Sequence, residues 1–143
     1  MNGELKTIER RLRQLRQADG IEKRWDLNIC EGLVREELAN RLVDGRLSVE
    51  VKSDYVVQQS GNVAIEYRYR GQPSGIAATK AEYWWIFFSG KFYFDEVSVV
   101  IKTDRLRALA RHHYERGHIS IGGDDNASEM VLVPKEDLLG LHF

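Results

Sequence analysis

Cysteine is almost absent from this chain of 143 residues, in which Cys30 is the only example. A single thiol excludes an intrachain disulfide and a zinc cluster of several cysteines, and it favours a reducing, intracellular compartment. Long apolar runs are missing too, since none approaches the roughly 20 residues of a membrane-spanning helix. We therefore expect a cytoplasmic protein with no membrane partner, folded as one compact domain over residues 1–143.

An excess of charge of one sign is also missing. The chain has 21 lysines and arginines against 22 aspartates and glutamates, which gives a formal net charge of -1. This balance argues against a protein that binds nucleic acid by bulk charge alone, although it permits a local basic surface. A nucleic-acid function must therefore depend on a particular site.

Hydrophobic periodicity divides the chain into helices and strands. Apolar residues at helical spacing predict an amphipathic helix over 4–17 within an N-terminal segment 1–20. They also predict a helix over 26–43, which opens a core spanning 26–133, and another over 105–116. Alternating or aromatic-rich runs predict strands at 48–54, 61–70, 83–88, 91–94, 97–101 and 130–133, before a last helical turn at 135–139. This order predicts an α+β fold with a mixed, mainly antiparallel sheet flanked by helices.

The first predicted strand carries three charged residues in alternation, Glu50, Lys52 and Asp54, which therefore share one face. If this strand and the next form an antiparallel hairpin, Glu66 lies opposite Asp54 and Arg68 lies opposite Lys52. A carboxylate cluster beside a lysine suits a magnesium-dependent phosphodiesterase. The same pattern also fits the solvated face of an ordinary hairpin, and alternation does not separate these interpretations.

The segment Glu50-Val51-Lys52 resembles the Glu-x-Lys element of the PD-(D/E)xK nuclease superfamily. Three further segments are similar to small uncharacterised phage and bacterial proteins assigned to that fold: Gly61-Asn62-x-x-Ile65-Glu66-Tyr67, Gly71-x-Pro73-Ser74-Gly75-Ile76 and Thr79-Lys80-Ala81-Glu82-Tyr83-Trp84. The likeness covers residues 26–101. It implies a restriction-endonuclease-like core, a Mg²⁺ or Mn²⁺ cofactor, DNA as the partner, and a bacterial or phage-encoded cytoplasmic protein.

The resemblance implies that Glu50 ligates the metal and that Lys52 orients or deprotonates the attacking water. It leaves the second acid open, because the superfamily's upstream aspartate strand is replaced here by a helix that runs nearly to Asp44. One completion takes an acid of the second helix, Glu36 or as second choice Glu31, with Glu50, while Asp44 lies only six residues upstream of Glu50 in an apparent turn. The other pairs Asp54 with Glu66, and in an alternative register Glu66-Tyr67-Arg68 stands in place of Glu-x-Lys.

Cations and hydroxyls near these strands are candidates for contacts with the DNA backbone: Arg68, Arg70, Ser74, Thr79 and Lys80. A plain structural loop over residues 71–80 fits equally well. We expect a metal-dependent DNA endonuclease that acts as a homodimer, since two subunits supply two sites for two strands. The alternatives are a catalytically inactive nuclease-like module that binds DNA or protein, and an RNA nuclease.

Overall fold

The computed structural model describes residues 6, 7, 10, 36–88 and 97–140. The chain groups into two compact units, Met1–Leu47 and Ser48–Phe143. Most of the predicted helix over 4–17 lies outside the described residues, although residues 6, 7 and 10 are helical. The start of the helix predicted over 26–43, with Glu31, and the strand predicted over 91–94 also lie outside them. The single domain over 1–143 stays a prediction.

In the first unit, residues 36–43 form helix α1, which is the end of the helix predicted over 26–43. The helix stops where expected, because Gly45 adopts a φ of 70° that favours glycine. Arg41 contacts Glu37 at 2.9 Å one turn away, and Arg46 contacts Asp44 at 2.9 Å. The exposed Arg46–Asp44 pair contributes about 0 to 1 kcal/mol.

The described part of the second unit forms two sheets. Its strands are β1 (Val49–Asp54), β2 (Asn62–Tyr69), β3 (Gln72–Pro73), β4 (Tyr83–Phe88), β5 (Ser98–Lys102), β6 (Ile119–Gly122) and β7 (Ser128–Pro134). Its helices are α2 (Val57–Ser60), α3 (Thr103–Glu115) and α4 (Lys135–Leu138). One sheet has the order β1-β4-β5 and is mixed, and the other has the order β3-β2-β7-β6 and is antiparallel. The predicted α+β class, with a mixed and mainly antiparallel arrangement of strands flanked by helices, is confirmed, although the strands divide between two sheets. The restriction-endonuclease-like core stays a prediction.

The predicted hairpin between β1 and β2 is wrong. Strand β1 runs parallel to β4, so Lys52 lies beside Ile86 and Asp54 beside Phe88, whereas β2 lies in the other sheet between β3 and β7. The chain leaves β1 through helix α2, which buries Val57 completely before Gly61 ends it at a φ of 75°. The aromatic strand β4 is the better partner because its inward residues, with Ile86 fully buried, remove a large apolar area from water.

Strands β2 and β7 form the centre of the second sheet, and helix α3 contributes to the same hydrophobic core. Val63, Ile65, Val131 and Val133 are almost completely buried, and so is Leu106 of α3. Each such side chain contributes about 1.5 to 3 kcal/mol by leaving water. This apolar stripe of α3 is the one predicted from the helical spacing, and it leaves the other faces of the helix toward solvent.

The end of α3 is joined to α4 through a buried histidine. His113 Nε2 lies 2.6 Å from Asp137 Oδ2, and His113 Nδ1 lies 3.0 Å from His118 Nδ1. His113 and Asp137 are 5% and 6% exposed. The contact therefore holds α4 and the loop after α3 against the end of that helix.

We expect His113→Ala to lower the free energy of unfolding by about 3 kcal/mol, because it removes a buried hydrogen bond to a carboxylate and leaves a cavity. Urea denaturation followed by circular dichroism measures this change. The neighbouring His112→Ala is the control, and we expect it to cost less than about 1 kcal/mol. Equal losses in the two variants would contradict a specific role for the His113–Asp137 contact.

Candidate nucleic-acid interface

Glu50, Lys52 and Asp54 share one face of β1, because successive residues of a strand alternate between its two sides. Their surroundings differ along the strand. Glu50 is exposed and its Oε2 accepts a hydrogen bond from the hydroxyl of Thr79 at 3.3 Å, whereas Lys52 is half-buried. Asp54, at the end of the strand, is only 6% exposed. Of the two acids on this face, Glu50 is therefore exposed to solvent and Asp54 is not.

The carboxylate of Asp54 binds backbone groups of its own fold. Its Oδ1 accepts from the N–H groups of Val56 at 3.0 Å and Val57 at 2.9 Å, and its Oδ2 accepts from the N–H of Ala64 at 3.0 Å. The first two bonds begin helix α2, and the third joins the end of β1 to strand β2. A metal ion at Asp54 would have to compete with these three donors, so the residue fits a structural role.

Glu66 is bound by two serine hydroxyls. Its Oε1 accepts from Ser74 at 2.5 Å, and its Oε2 accepts from Ser128 at 2.7 Å. The loop after β3 approaches closely here, because a Cβ on Gly75 would lie only 2.2 Å from the carbonyl oxygen of Glu66. Glu66 therefore fixes a loop and strand β7 against β2, and Ser74 donates to it inside the fold.

The acids predicted to bind the metal ion have surroundings that do not suit a single metal site. Asp54 and Glu66 bind protein donors, Asp44 contacts Arg46, and Glu36 is exposed on helix α1. Across residues 36–88 and 97–140, together with 6, 7 and 10, no three histidine, cysteine or acidic side chains group closely enough to hold a metal ion. The Mg²⁺ or Mn²⁺ site stays a prediction, for which Glu50 is an accessible ligand.

A bulge separates Glu66 from Arg68. The pairing with β7 shifts here, so Glu66 lies beside Met130 and Arg68 beside Glu129, with Tyr67 as the extra residue on β2. Bulges redirect side chains relative to the regular alternation of a strand. The chain therefore presents Tyr67 and Arg68 together at one cleft instead of placing Arg68 with Glu66.

That cleft, which we call the arginine–tyrosine groove, has a volume of about 390 Å³. Strand β2, helix α3 and strand β7 form it over an apolar floor that includes Ile76 and Ala110. Its polar lining consists of three arginines and two tyrosines: Arg68, Arg107, Arg111, Tyr67 and Tyr114. No carboxylate lines it among the described residues. The groove is therefore a concentration of positive charge on a chain whose net charge is -1.

Aromatic contacts hold the tyrosines of the groove. The rings of Tyr67 and Tyr114 meet edge to face, with centroids 5.3 Å apart and planes at 76°. Tyr114 is nevertheless 49% exposed. Burial, and next the negative charge of Glu129, raise the pKa of Tyr67 above its ordinary value, so its hydroxyl keeps its proton at neutral pH. That hydroxyl donates to Glu129 Oε1 at 3.4 Å, so the groove offers a ligand the accessible ring of Tyr114 beside its arginines.

A second cleft of about 480 Å³, which we call the lysine cleft, lies at the start of α3. Its charged lining consists of Lys80, Lys102 and Arg107 with Glu82 and Asp104. Thr79 also lines it, and the hydroxyl of Thr79 contacts Glu50. Arg107 lines both clefts.

Three of the predicted nucleic-acid contacts lie in these clefts and two do not. Arg68 lines the arginine–tyrosine groove, whereas Thr79 and Lys80 line the lysine cleft. Ser74 donates to Glu66, and Arg70 packs over the ring of Tyr69 with 5.3 Å to the centroid. The sequence interpretation missed the residues of α3 that line the groove. Their signal was the spacing of Arg107, Arg111 and Tyr114, four and three positions apart, which places them on one helix face.

Comparisons with protein-family models, with curated proteins and with solved structures found no match to this chain. The resemblance to the PD-(D/E)xK superfamily therefore stays a prediction that depends on its sequence motifs. In the described part of the chain, no helix is both long enough and apolar enough to cross a membrane.

We expect Asp54→Asn to lower the free energy of unfolding by about 2 kcal/mol, because an amide has one acceptor oxygen in place of two and leaves a buried N–H unpaired. Glu50→Gln, on the exposed end of the same strand face, should change it by less than about 0.5 kcal/mol. Urea denaturation of both variants tests the difference. An Asp54→Asn protein as stable as the wild type would overturn the structural role given to this carboxylate.

Proposed function

We propose that the protein binds nucleic acid and that the arginine–tyrosine groove is its contact surface. The observation that supports the proposal is the convergence of three arginines and an exposed tyrosine on one cleft of about 390 Å³. A guanidinium group binds phosphate oxygens with two parallel N–H bonds, which makes arginine the preferred residue for this task. The exposed ring of Tyr114 offers a surface on which a base can stack.

The arginines of the groove are available for such contacts. The side chain of Arg68 is 46% exposed and its Nη1 lies 3.4 Å from Glu129, whereas the side chain of Arg107 is 40% exposed and contacts Asp104 at 3.2 Å. Exposed pairs of this kind contribute about 0 to 1 kcal/mol, so a phosphate can replace the carboxylate at little cost. The groups that the groove recognises, phosphate and base face, occur in both DNA and RNA.

A second candidate is the metal-dependent DNA endonuclease expected from the sequence. It is favoured by the exposed carboxylate of Glu50, which shares a strand face with Lys52 and contacts Thr79 at the wall of the lysine cleft. In this proposal the phosphodiester to be hydrolysed lies beside Glu50 and Lys52. The same proposal includes a cytoplasmic location. It also includes a homodimer, because two subunits supply one active site for each of the two DNA strands.

We expect Arg111→Gln to weaken nucleic-acid binding about fivefold, which corresponds to about 1 kcal/mol for one lost phosphate contact. The variant should also reduce the slope of log affinity against log salt by about 1. Fluorescence anisotropy at several salt concentrations measures both quantities.

The matched control for Arg111→Gln is Lys135→Gln, which removes one positive charge from α4, outside both clefts. Equal weakening by the two variants would mean that net charge, and not the groove, governs binding. Wild-type protein that binds neither DNA nor RNA at low salt would overturn the proposed function.

For the endonuclease candidate, we expect wild-type protein with Mg²⁺ or Mn²⁺ to cut DNA. Glu50→Gln and Lys52→Gln should each reduce the rate by about 100-fold or more, as expected when a group in direct contact with the reaction is removed. Supercoiled, linear, single-stranded and branched DNA, and then RNA, are the substrates to compare. Folded wild-type protein that cuts none of them, or variants that cut at the wild-type rate, would exclude this candidate.

A further inference from the structure

We infer that the arginine–tyrosine groove and the lysine cleft form one continuous track that binds single-stranded nucleic acid. The inference rests on the proposed function, since it names the class of nucleic acid and extends the contact surface to a second cleft. The two clefts follow each other along α3, because the lysine cleft includes Asp104 near its start and the groove includes Arg111 and Tyr114 toward its end.

Arg107 joins the two clefts because its side chain lines both of them. Its Nε donates to the carbonyl of Ile76 at 3.4 Å, and its Nη1 donates to Asp104 at 3.2 Å. These contacts hold the guanidinium group at the border between the clefts. A phosphate bound at Arg107 would therefore have further cationic groups on either side.

The charge of the combined track supports a polyanion as its ligand. Lys80, Lys102, Arg107, Arg111 and Arg68 contribute five positive charges, and Glu82, Asp104 and, beside the groove, Glu129 contribute three negative charges, which leaves +2. All three carboxylates have local partners, since Asp104 contacts Arg107, Glu129 contacts Arg68, and Glu82 accepts from the backbone and the hydroxyl of Ser48. The chain as a whole carries -1, so the track is a local excess of positive charge.

The shape of the track favours a single strand over a duplex. A protein that reads a duplex inserts a protruding helix or ribbon into a major groove about 12 Å wide, whereas this surface consists of two concave clefts. Their volumes of about 390 and 480 Å³ lie in the range of sites for small ligands. A base that stacks on Tyr114 must also have an open face. In a duplex the adjacent base pairs cover that face, whereas in a single strand it can be free.

The length of the track indicates how many nucleotides it contacts. From Asp104 to Tyr114 the helix rises about 15 Å. With a rise of about 3.4 Å for each stacked nucleotide, the track spans about four nucleotides. A strand of about twelve nucleotides therefore occupies both clefts at once.

The test is fluorescence anisotropy with a labelled single strand of about twelve nucleotides, as DNA and as RNA, and with a duplex of the same sequence. The proteins are wild type, Arg111→Gln in the groove, Lys102→Gln in the lysine cleft, the double variant, and Lys135→Gln as the control for lost charge. Thermal unfolding of each variant confirms that it is folded.

We expect the single strand to bind at least about tenfold more tightly than the duplex. Each of Arg111→Gln and Lys102→Gln should lower the salt slope for the single strand by about 0.7, and the double variant should lower it by about 1.4. Lys135→Gln should leave both the affinity and the slope close to wild type. This result would show that one strand contacts both clefts.

Two results would overturn the continuous track while leaving the proposed function standing. In the first, Arg111→Gln weakens binding and Lys102→Gln does not, so that the groove acts alone. In the second, the duplex binds as tightly as the single strand. Wild-type protein that binds none of the three nucleic acids would overturn both the track and the proposed function.

Discussion

The buried carboxylate of Asp54 is the contact on which the arrangement of the second unit depends. It accepts hydrogen bonds from the N–H groups of Val56, Val57 and Ala64, and these bonds turn the chain out of β1 and hold it against β2. A carboxylate taken out of water requires such donors, because an unpaired buried charge costs several kcal/mol. These bonds thus join the end of β1 to β2, although the two strands belong to different sheets.

This separation explains why the acids of the two strands do not act together. Glu66 binds Ser74 and Ser128 within the second sheet, and Glu50 remains exposed on the first. Helix α3 supplies the cationic surface instead. Its apolar stripe with Leu106 and Leu109 is buried, which directs the arginines and Tyr114 of its other side into the clefts.

The helices and strands that were predicted correctly are those whose own residues show a strong hydrophobic pattern. The spacing of apolar residues indicated α3, and the aromatic run indicated β4, in which Trp84 is buried while Trp85 bonds Ser98 from the opposite face. Strand β6 was missed because its Ile119 and Ile121 are exposed on an edge strand and do not mark a core. Of the residues that line the two clefts, Arg68, Thr79 and Lys80 were predicted to contact nucleic acid, whereas Arg107 and Arg111 lie on the side of α3 away from the apolar stripe that predicts the helix.

The sequence alone determined which residues share a face of a strand or a helix, because those periods follow from backbone geometry within one segment. It placed Glu50, Lys52 and Asp54 on one side of β1 and left the partner of that strand undetermined. The partner depended on competition between distant segments for apolar contacts, which β4 won over β2. The bulge at Tyr67 and the meeting of β2 with α3 depended on the same competition, so only the tertiary structure could assemble the arginine–tyrosine groove.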